Sequence, residues 1–272
     1  MKELITAERA PAMPQRNSIP EAAVKTEKAP LCLPEWKVAG IFSSHMVLQR
    51  ERPITIGGWS RHIGAVVTGV WGEETVSAAV DETGRFELVF QPRAASFAPS
   101  RMTVASAYGS DTFEDVLSGD VWVVGGQSNA ELALEPCLGD TPEIAQTLRE
   151  DHPFRLFTQT QAYAVECKQF YHEPARDVIN PEWRWQRPGP EAAKSFSAIG
   201  YYFARLLTEH VPVPVGVVMM CAGGACLREL MPLELAHERG YTEGANMPVG
   251  GYYNTLIAPL LGLQFKGQLF FQ

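Results

Sequence analysis

The sequence predicts two modules in series: an antiparallel β-sandwich over residues 36–118, then an α/β domain built on a parallel sheet over residues 119–272. Three observations predict this arrangement. Between 36 and 118, short β-rich runs recur roughly every ten residues, divided by Gly, Asp and Pro, the rhythm of a two-sheet antiparallel fold. Beyond 119, continuous apolar runs alternate with helix-forming stretches, as strands buried on both faces do when helices cover them. The composition, 46% hydrophobic and 20% charged over 272 residues, suffices for packed cores and excludes collagen-like, coiled-coil and wholly disordered chains.

In chain order, residues 1–35 hold Pro11, Pro14, Pro20, Pro30 and Pro34 with no period of 2 or 3.6, and read as a flexible leader. Strands are expected at 46–49, 54–59, 65–70, 76–80, 85–90 and 102–107, with Gly57-Gly58, Gly64, Gly72, the 81–84 stretch, Pro99 and Gly109 as punctuation. The second module opens on Val121-Trp122-Val123-Val124, which runs into Gly125-Gly126-Gln127-Ser128-Asn129. Further buried strands are expected at 154–157, 215–220 and 268–271. Thr141-Pro142-Glu143 opens a helix running to about 150, and Ser197 begins another that reaches His210. The apolar run 211–227 is broken by Pro212, Pro214, Gly223 and Gly224, so it reads as a buried strand rather than a membrane span.

Composition also narrows the partners. With 23 basic and 31 acidic residues the formal charge is −8, and no cluster of Lys and Arg offers the electrostatic footprint of a nucleic-acid binder. The start Met1-Lys2-Glu3 leads into no apolar signal region, so a cytoplasmic location is expected and no membrane anchor. Five cysteines, Cys32, Cys137, Cys167, Cys221 and Cys226, lack any CxxC pair and read as idle or buried thiols. No interface between copies is legible.

In an open parallel sheet, ligands bind beyond the carboxyl ends of the strands. Two loops leave strands there: Gly126-Gln127-Ser128-Asn129 and Ala222-Gly223-Gly224-Ala225. A serine just past a strand, set between tight-turning glycines, can present its hydroxyl and its backbone N–H to one point. Glycines after a neighbouring strand add further N–H donors, the makings of an oxyanion hole. Ordinary turns also use Gly-Gly, and position 130 is Ala, so the serine is not in a GxSxG elbow.

GQSN after an apolar strand, preceded by MVLQRERPITIGGW and followed by FSAIGYYFARLL, PVGVVMMCAGGA and YNTLIAPL, resembles the sialate O-acetylesterase family of carbohydrate esterases, within the SGNH (GDSL-like) hydrolases. The likeness is collinear from about Trp36 to Gln272. It implies an N-terminal β-sandwich followed by a flavodoxin-like α/β hydrolase domain, and an O-acetylated sugar, such as sialic acid, as substrate. It implies Ser128 as nucleophile, an oxyanion hole from the N–H groups of Ser128 and of Gly223 or Gly224, and neither cofactor nor metal. The sequence departs from the family pattern at Ala130, where Met is usual, at Ala225, where Thr is usual, and at Arg228 and Leu230, where Glu and Trp are usual. Family members continue into a Gly-Glu-x-Asn block and, later, the Asp and His of the triad. This sequence reaches Gln272 before them, so the resemblance implies the N-terminal portion of such a hydrolase domain. The alternative is a non-catalytic fragment that binds glycans or a partner.

A serine needs a base within hydrogen-bond reach. Asp151-His152-Pro153 resembles the family's Asp-x-His-Pro, but it precedes a strand, whereas Ser128 follows one; strands of four to five residues would hold them roughly 15 Å apart. His172 and His237 lie on the correct side of their strands without a spacing that singles them out, and His45, His62 and His210 read as sandwich or helix-end residues. His172-Glu173-Pro174 cannot begin a zinc helix, because Pro breaks it. Glu131 and Glu135 read as a solvated helical face, and Trp59, Trp71, Trp183 and Trp185 as core before sugar platforms. Arg155 or Arg228 could meet a sugar carboxylate.

Overall fold

The computed structural model describes residues 33–138 and 148–272, and the fold is a mixture of sheets and helices. The first half holds β1 (Lys37–Val38), β2 (Val47–Gln49), β3 (Ile54–Trp59), β4 (Val66–Trp71), β5 (Glu74–Ala79), β6 (Arg85–Phe90), β7 (Ser96–Ser106) and β8 (Gly109–Gly126). Strict alternation sets β3 and β6: Ile54, Ile56, Phe86, Leu88 and Phe90 point inward, each no more than 5% exposed, while Thr55, Gly57, Arg85 and Glu87 point out. β1, β3 and β6 form one antiparallel sheet. Its inward residues share a core with Val67, Trp71, Met102, Val104 and Phe113 of β4, β7 and β8, which belong to a second, larger sheet.

That larger sheet continues into the second half of the chain. It holds β9 (Phe154–Thr158), β10 (Trp185–Gln186), β11 (Val215–Cys221) and β12 (Gly267–Phe271), in the order β10-β9-β11-β8-β7-β4-β5, with β2 and β12 also paired to β8. β11 runs parallel to both β8 and β9, and β12 runs parallel to β8. β8 therefore serves both halves: Gly109 to Ser118 pairs with β7, and Asp120 to Gly126 pairs with β11. The strand expected to open at Val121 instead begins at Gly109, and the division expected after 118 falls inside it. Gly119, read from sequence as a break, lies where a Cβ would come within 2.1 Å of the Pro214 carbonyl oxygen; it admits a close chain approach rather than a turn.

Of the parallel strands, β9, β11 and the second stretch of β8 are largely buried on both faces. β12, expected from sequence to be buried as well, is exposed or half-exposed throughout, because among the described residues it pairs only with β8 and no strand or helix covers its outer side. Val217, Met219 and Cys221 of β11 join one core with Val124, Phe154 and Leu156, while Val218 and Met220 join the other with Val123 and Phe157. The α-helices of the described residues are α1 (Ser128–Glu131), α2 (Gln161–Glu166), α3 (Pro190–Lys194), α4 (Ala198–His210) and α5 (Leu233–Glu238). α4 begins where expected: the Ser197 hydroxyl caps it by accepting the Gly200 N–H, and Ala198, Gly200, Tyr201 and Ala204 form its buried stripe. Tyr252, Leu256 and Leu260 cover the opposite face of the sheet. In the helix expected from Thr141, residues 141–147 lie outside the described residues. No helix among the described residues is long and apolar enough to cross a membrane.

The amino ends of the parallel strands are dense in charge. Asp115, in the left-handed region at φ 55°, accepts hydrogen bonds from Arg155 at 3.0 Å and Arg187 at 3.0 Å and lies 2.8 Å from His45 Nδ1. Burial opposes its charge, but the His45 and Arg155 contacts outweigh that and hold its carboxyl below the usual carboxylate range. Asp120, bonded by Arg50 at 2.8 Å and Gln49 at 3.2 Å, is held down against burial in the same way.

Candidate active site

Ser128 sits where β8 ends and α1 begins, at the carboxyl end of the strand, and is exposed. The chain reaches it through Gly126, whose φ of 133° and contact with β12 both require glycine: a Cβ would fall 1.9 Å from the Phe271 carbonyl oxygen. Two backbone bonds pin this exit, from Gln127 N–H to Phe271 O at 3.1 Å and from Ala222 N–H to Gly126 O at 2.9 Å. The second ties the serine loop to the glycine loop that leaves β11.

The two loops meet as the sequence suggested. A Cβ built on Gly223 would lie 3.8 Å from the Ser128 Cα. Gly224 adopts φ 72°, and its carbonyl accepts the Asn246 side-chain amide at 2.6 Å. The three expected N–H donors differ, however. Those of Ser128 and Gly224 have no acceptor among the described residues. That of Gly223 donates to Glu131 Oε2 at 2.7 Å. While this bond holds, the Gly223 N–H is not open to a ligand.

Glu131 is therefore not part of a solvated face; it is half-buried, whereas Glu135 is exposed. Burial pushes the Glu131 carboxyl up, against backbone hydrogen bonds from Gly223 and Gln161 that favour its charged form. Gln161, on α2, holds the other side of the same glycine: its Nε2 donates to the Gly223 carbonyl at 2.8 Å and to the Tyr252 hydroxyl at 2.7 Å. Gly223 is thus clamped at both its N–H and its C=O, and one clamp comes from the helical turn that carries Ser128. Beside it, burial pushes the Cys221 thiol up to about 12, so this cysteine is no competing nucleophile.

Glu229 sets the next stretch of the loop. Fully buried, it accepts N–H bonds from Cys226 at 2.9 Å through Oε2 and from Asn246 at 2.8 Å and Met247 at 3.2 Å through Oε1. The departure at Arg228 thus leaves a carboxylate one position later that folds the loop onto residues 245–247. Sequence reading missed the role of both glutamates because the contacts that define it, Gly223 for Glu131 and residues 246–247 for Glu229, are distant in the chain; only Glu131 carried a local signal, an acid between the apolar Ala130 and Leu132.

The remaining candidates lie elsewhere. His152 precedes β9 at the amino end of the sheet and stacks on Phe154. His45 is held by Asp115, His62 stacks on Tyr108 at 3.4 Å, His210 ends α4, His237 lies on exposed α5, and His172 is exposed in the segment after β9. Among the described residues no histidine or carboxylate hydrogen-bonds the Ser128 hydroxyl. Arg155 is committed to Asp115 at the amino end, which removes it as a partner for a sugar carboxylate near Ser128. Trp71, Trp183 and Trp185 are core residues, and Cys137, Cys167, Cys221 and Cys226 are free thiols.

No family model matches the chain. The sialate O-acetylesterases of Pongo abelii and Homo sapiens are each 23% identical to it over 172 residues, which cover 58% of this chain and 31% of theirs. That of Mus musculus is 24% identical over 204 residues, covering 70% of this chain and 36% of its own. The chain thus spans about a third of the length of these curated relatives. The crystal structure of a carbohydrate acetylesterase from Xanthomonas citri aligns with a TM-score of 0.73 at 26% identity, covering 86% of this chain and 51% of that one.

Proposed function

We infer that this chain, which belongs to the sialate O-acetylesterase family of carbohydrate esterases, acts on O-acetylated sugars with Ser128 as the nucleophile. The observation that carries this reading is the meeting of two strand exits: an exposed serine beside a clamped Gly-Gly turn, with the N–H groups of Ser128 and Gly224 left without acceptors. In family terms, residues 36–118 are the β-sandwich and residues 119–272 belong to a flavodoxin-like SGNH hydrolase module. The face-to-face core of the two sheets and the parallel β9-β11-β8-β12 set support that assignment.

The chemistry follows from the geometry. The Ser128 Oγ forms a bond to the acetyl carbonyl carbon as its proton passes to a general base. The carbonyl oxygen becomes an oxyanion, and the N–H groups of Ser128 and Gly224 stabilise it where charge develops. Collapse breaks the bond from the acetyl carbon to the sugar oxygen, which leaves with the proton. Water then releases acetate from Ser128 by the reverse sequence. Glu131 is a positioning residue: it ties the turn carrying Ser128 to Gly223, so that the adjacent Gly224 N–H, rather than that of Gly223, is presented.

A second reading, a non-catalytic glycan-binding chain, is favoured by the absence of any described base at Ser128. Acetate release from O-acetylated sialic acid and from 4-nitrophenyl acetate separates the two. Ser128→Ala is expected to lower the rate by about 10⁶-fold, the scale of a removed serine nucleophile. Equal rates for wild type and variant overturn the catalytic reading.

A further inference from the structure

The six tryptophans do not all serve the core. Trp71 packs edge-on to Phe90, Trp183 to Tyr163 and Trp122 to Phe203, Trp36 stacks on Phe86, and Trp185 tilts against Phe157. Trp59 stands apart: it is partly exposed and has no aromatic partner among the described residues. It ends the outward row of β3 and lines a groove of about 740 Å³ between that face and the segment 253–264. A cavity of that size is in the range that accepts small ligands.

The floor of the groove is shaped by register. Thr55, Gly57 and Trp59 alternate along the outward row, with Gly57 opposite Glu87 and Trp59 opposite Arg85. Gly57 needs no unusual backbone, and a Cβ there would meet nothing nearer than the Phe86 carbonyl oxygen at 3.7 Å. Its missing side chain leaves a trough beside the indole. The Arg85 and Glu87 side chains, paired at 2.7 Å, present a donor fork and an acceptor in that trough. Tyr253 and Arg176 form the far wall. An indole face beside a trough with paired donor and acceptor suits a pyranose ring, whose axial C–H groups are apolar and whose edge is all hydroxyl. The wall is also joined to the Ser128 site: Tyr253 follows the Tyr252 that meets Gln161, and the Ala175 N–H bonds the Asn254 carbonyl at 2.9 Å.

We propose that this groove is a glycan subsite, in which a pyranose ring stacks on Trp59 and its hydroxyls bond the Glu87–Arg85 pair, holding a longer sugar chain whose acetylated unit reaches Ser128. The binding claim stands without catalysis; its place in substrate recognition rests on the esterase reading.

Saturation-transfer NMR on the full chain carrying Ser128→Ala, with 3′-sialyllactose and xylohexaose as probes, tests it. Ring protons of at least one probe are expected to receive saturation. Adding Trp59→Ala is expected to weaken binding about 5-fold or more, the scale of one lost aromatic contact. Gly57→Val, which fills the trough with a residue suited to a strand, is expected to do the same and covers the case of a Trp59 variant that fails to fold. No transfer to either probe at 10-fold excess over a millimolar affinity, or binding unchanged by both substitutions, overturns the proposal. Binding that depends on Trp59 in a wild-type chain without esterase activity retires the esterase reading and leaves the subsite standing.

Discussion

At the amino ends of the parallel strands, charge is answered by charge within the molecule: Asp115 gathers Arg155, Arg187 and His45, and Asp120 gathers Arg50 and Gln49. At the carboxyl ends the polar groups are only partly answered. Gly223 is held on both sides, yet the Ser128 hydroxyl and the Ser128 and Gly224 N–H groups have no described partner. Both ends belong to the same parallel strands. One end is therefore closed on itself while the other leaves a hydroxyl and two N–H donors open, the division that the proposed esterase reading calls for, with a rigid scaffold holding a reactive loop.

Breaking the amino end should give the largest effect. Asp115→Ala leaves the buried Arg155 guanidinium without its carboxylate and is expected to cost about 3–5 kcal/mol in urea unfolding. A loss within about 0.5 kcal/mol, the range of ordinary surface substitutions, would mean that this cluster is not holding the fold. The same cluster sets an acid limit. Because Asp115 and Asp120 lie below their unfolded values, their contribution is complete above the usual carboxylate range and is lost as pH falls through their folded values. Asp115→Ala should flatten that part of the profile.

At the carboxyl end, Glu131→Gln should divide function from stability. It keeps an acceptor for Gly223 but removes the charge, and acetate release is expected to fall about 10-fold while stability changes by about 1 kcal/mol. Its pH signature has the opposite sign to that of Asp115. With its carboxyl pushed up by burial, Glu131 contributes fully below its unfolded value, and that contribution is lost as pH rises through the folded one. The wild type should therefore gain on Glu131→Gln as pH falls in urea melts across that window. A difference independent of pH would show that Glu131 does not titrate in the folded protein.

Local pattern made much of this legible. β3 and β6 match the alternating runs at 54–59 and 85–90, and α4 follows its serine cap, because each is set by neighbours close in sequence. β8 was divided at Gly119 because glycine reads as a turn, and only the contact with Pro214 shows otherwise. β7 runs through Pro99, tolerated where its register with β8 slips between Ser96 and Ser100. In the site, Ser128 and the paired glycines were visible from their place after apolar strands. The grip of Glu131 on Gly223 crosses 92 residues of chain and leaves no periodic trace.

The long reach of β8 has a consequence for how the protein melts. A strand that zips to β7 along one stretch and to β11 along the next cannot leave one neighbour without loosening the other. The two halves of residues 33–272 should thus behave as a single cooperative unit, with calorimetric and van't Hoff enthalpies in agreement and one transition in a thermal scan. Cutting the gene after codon 118 would split one strand between two polypeptides, leaving each with a raw edge in place of a partner.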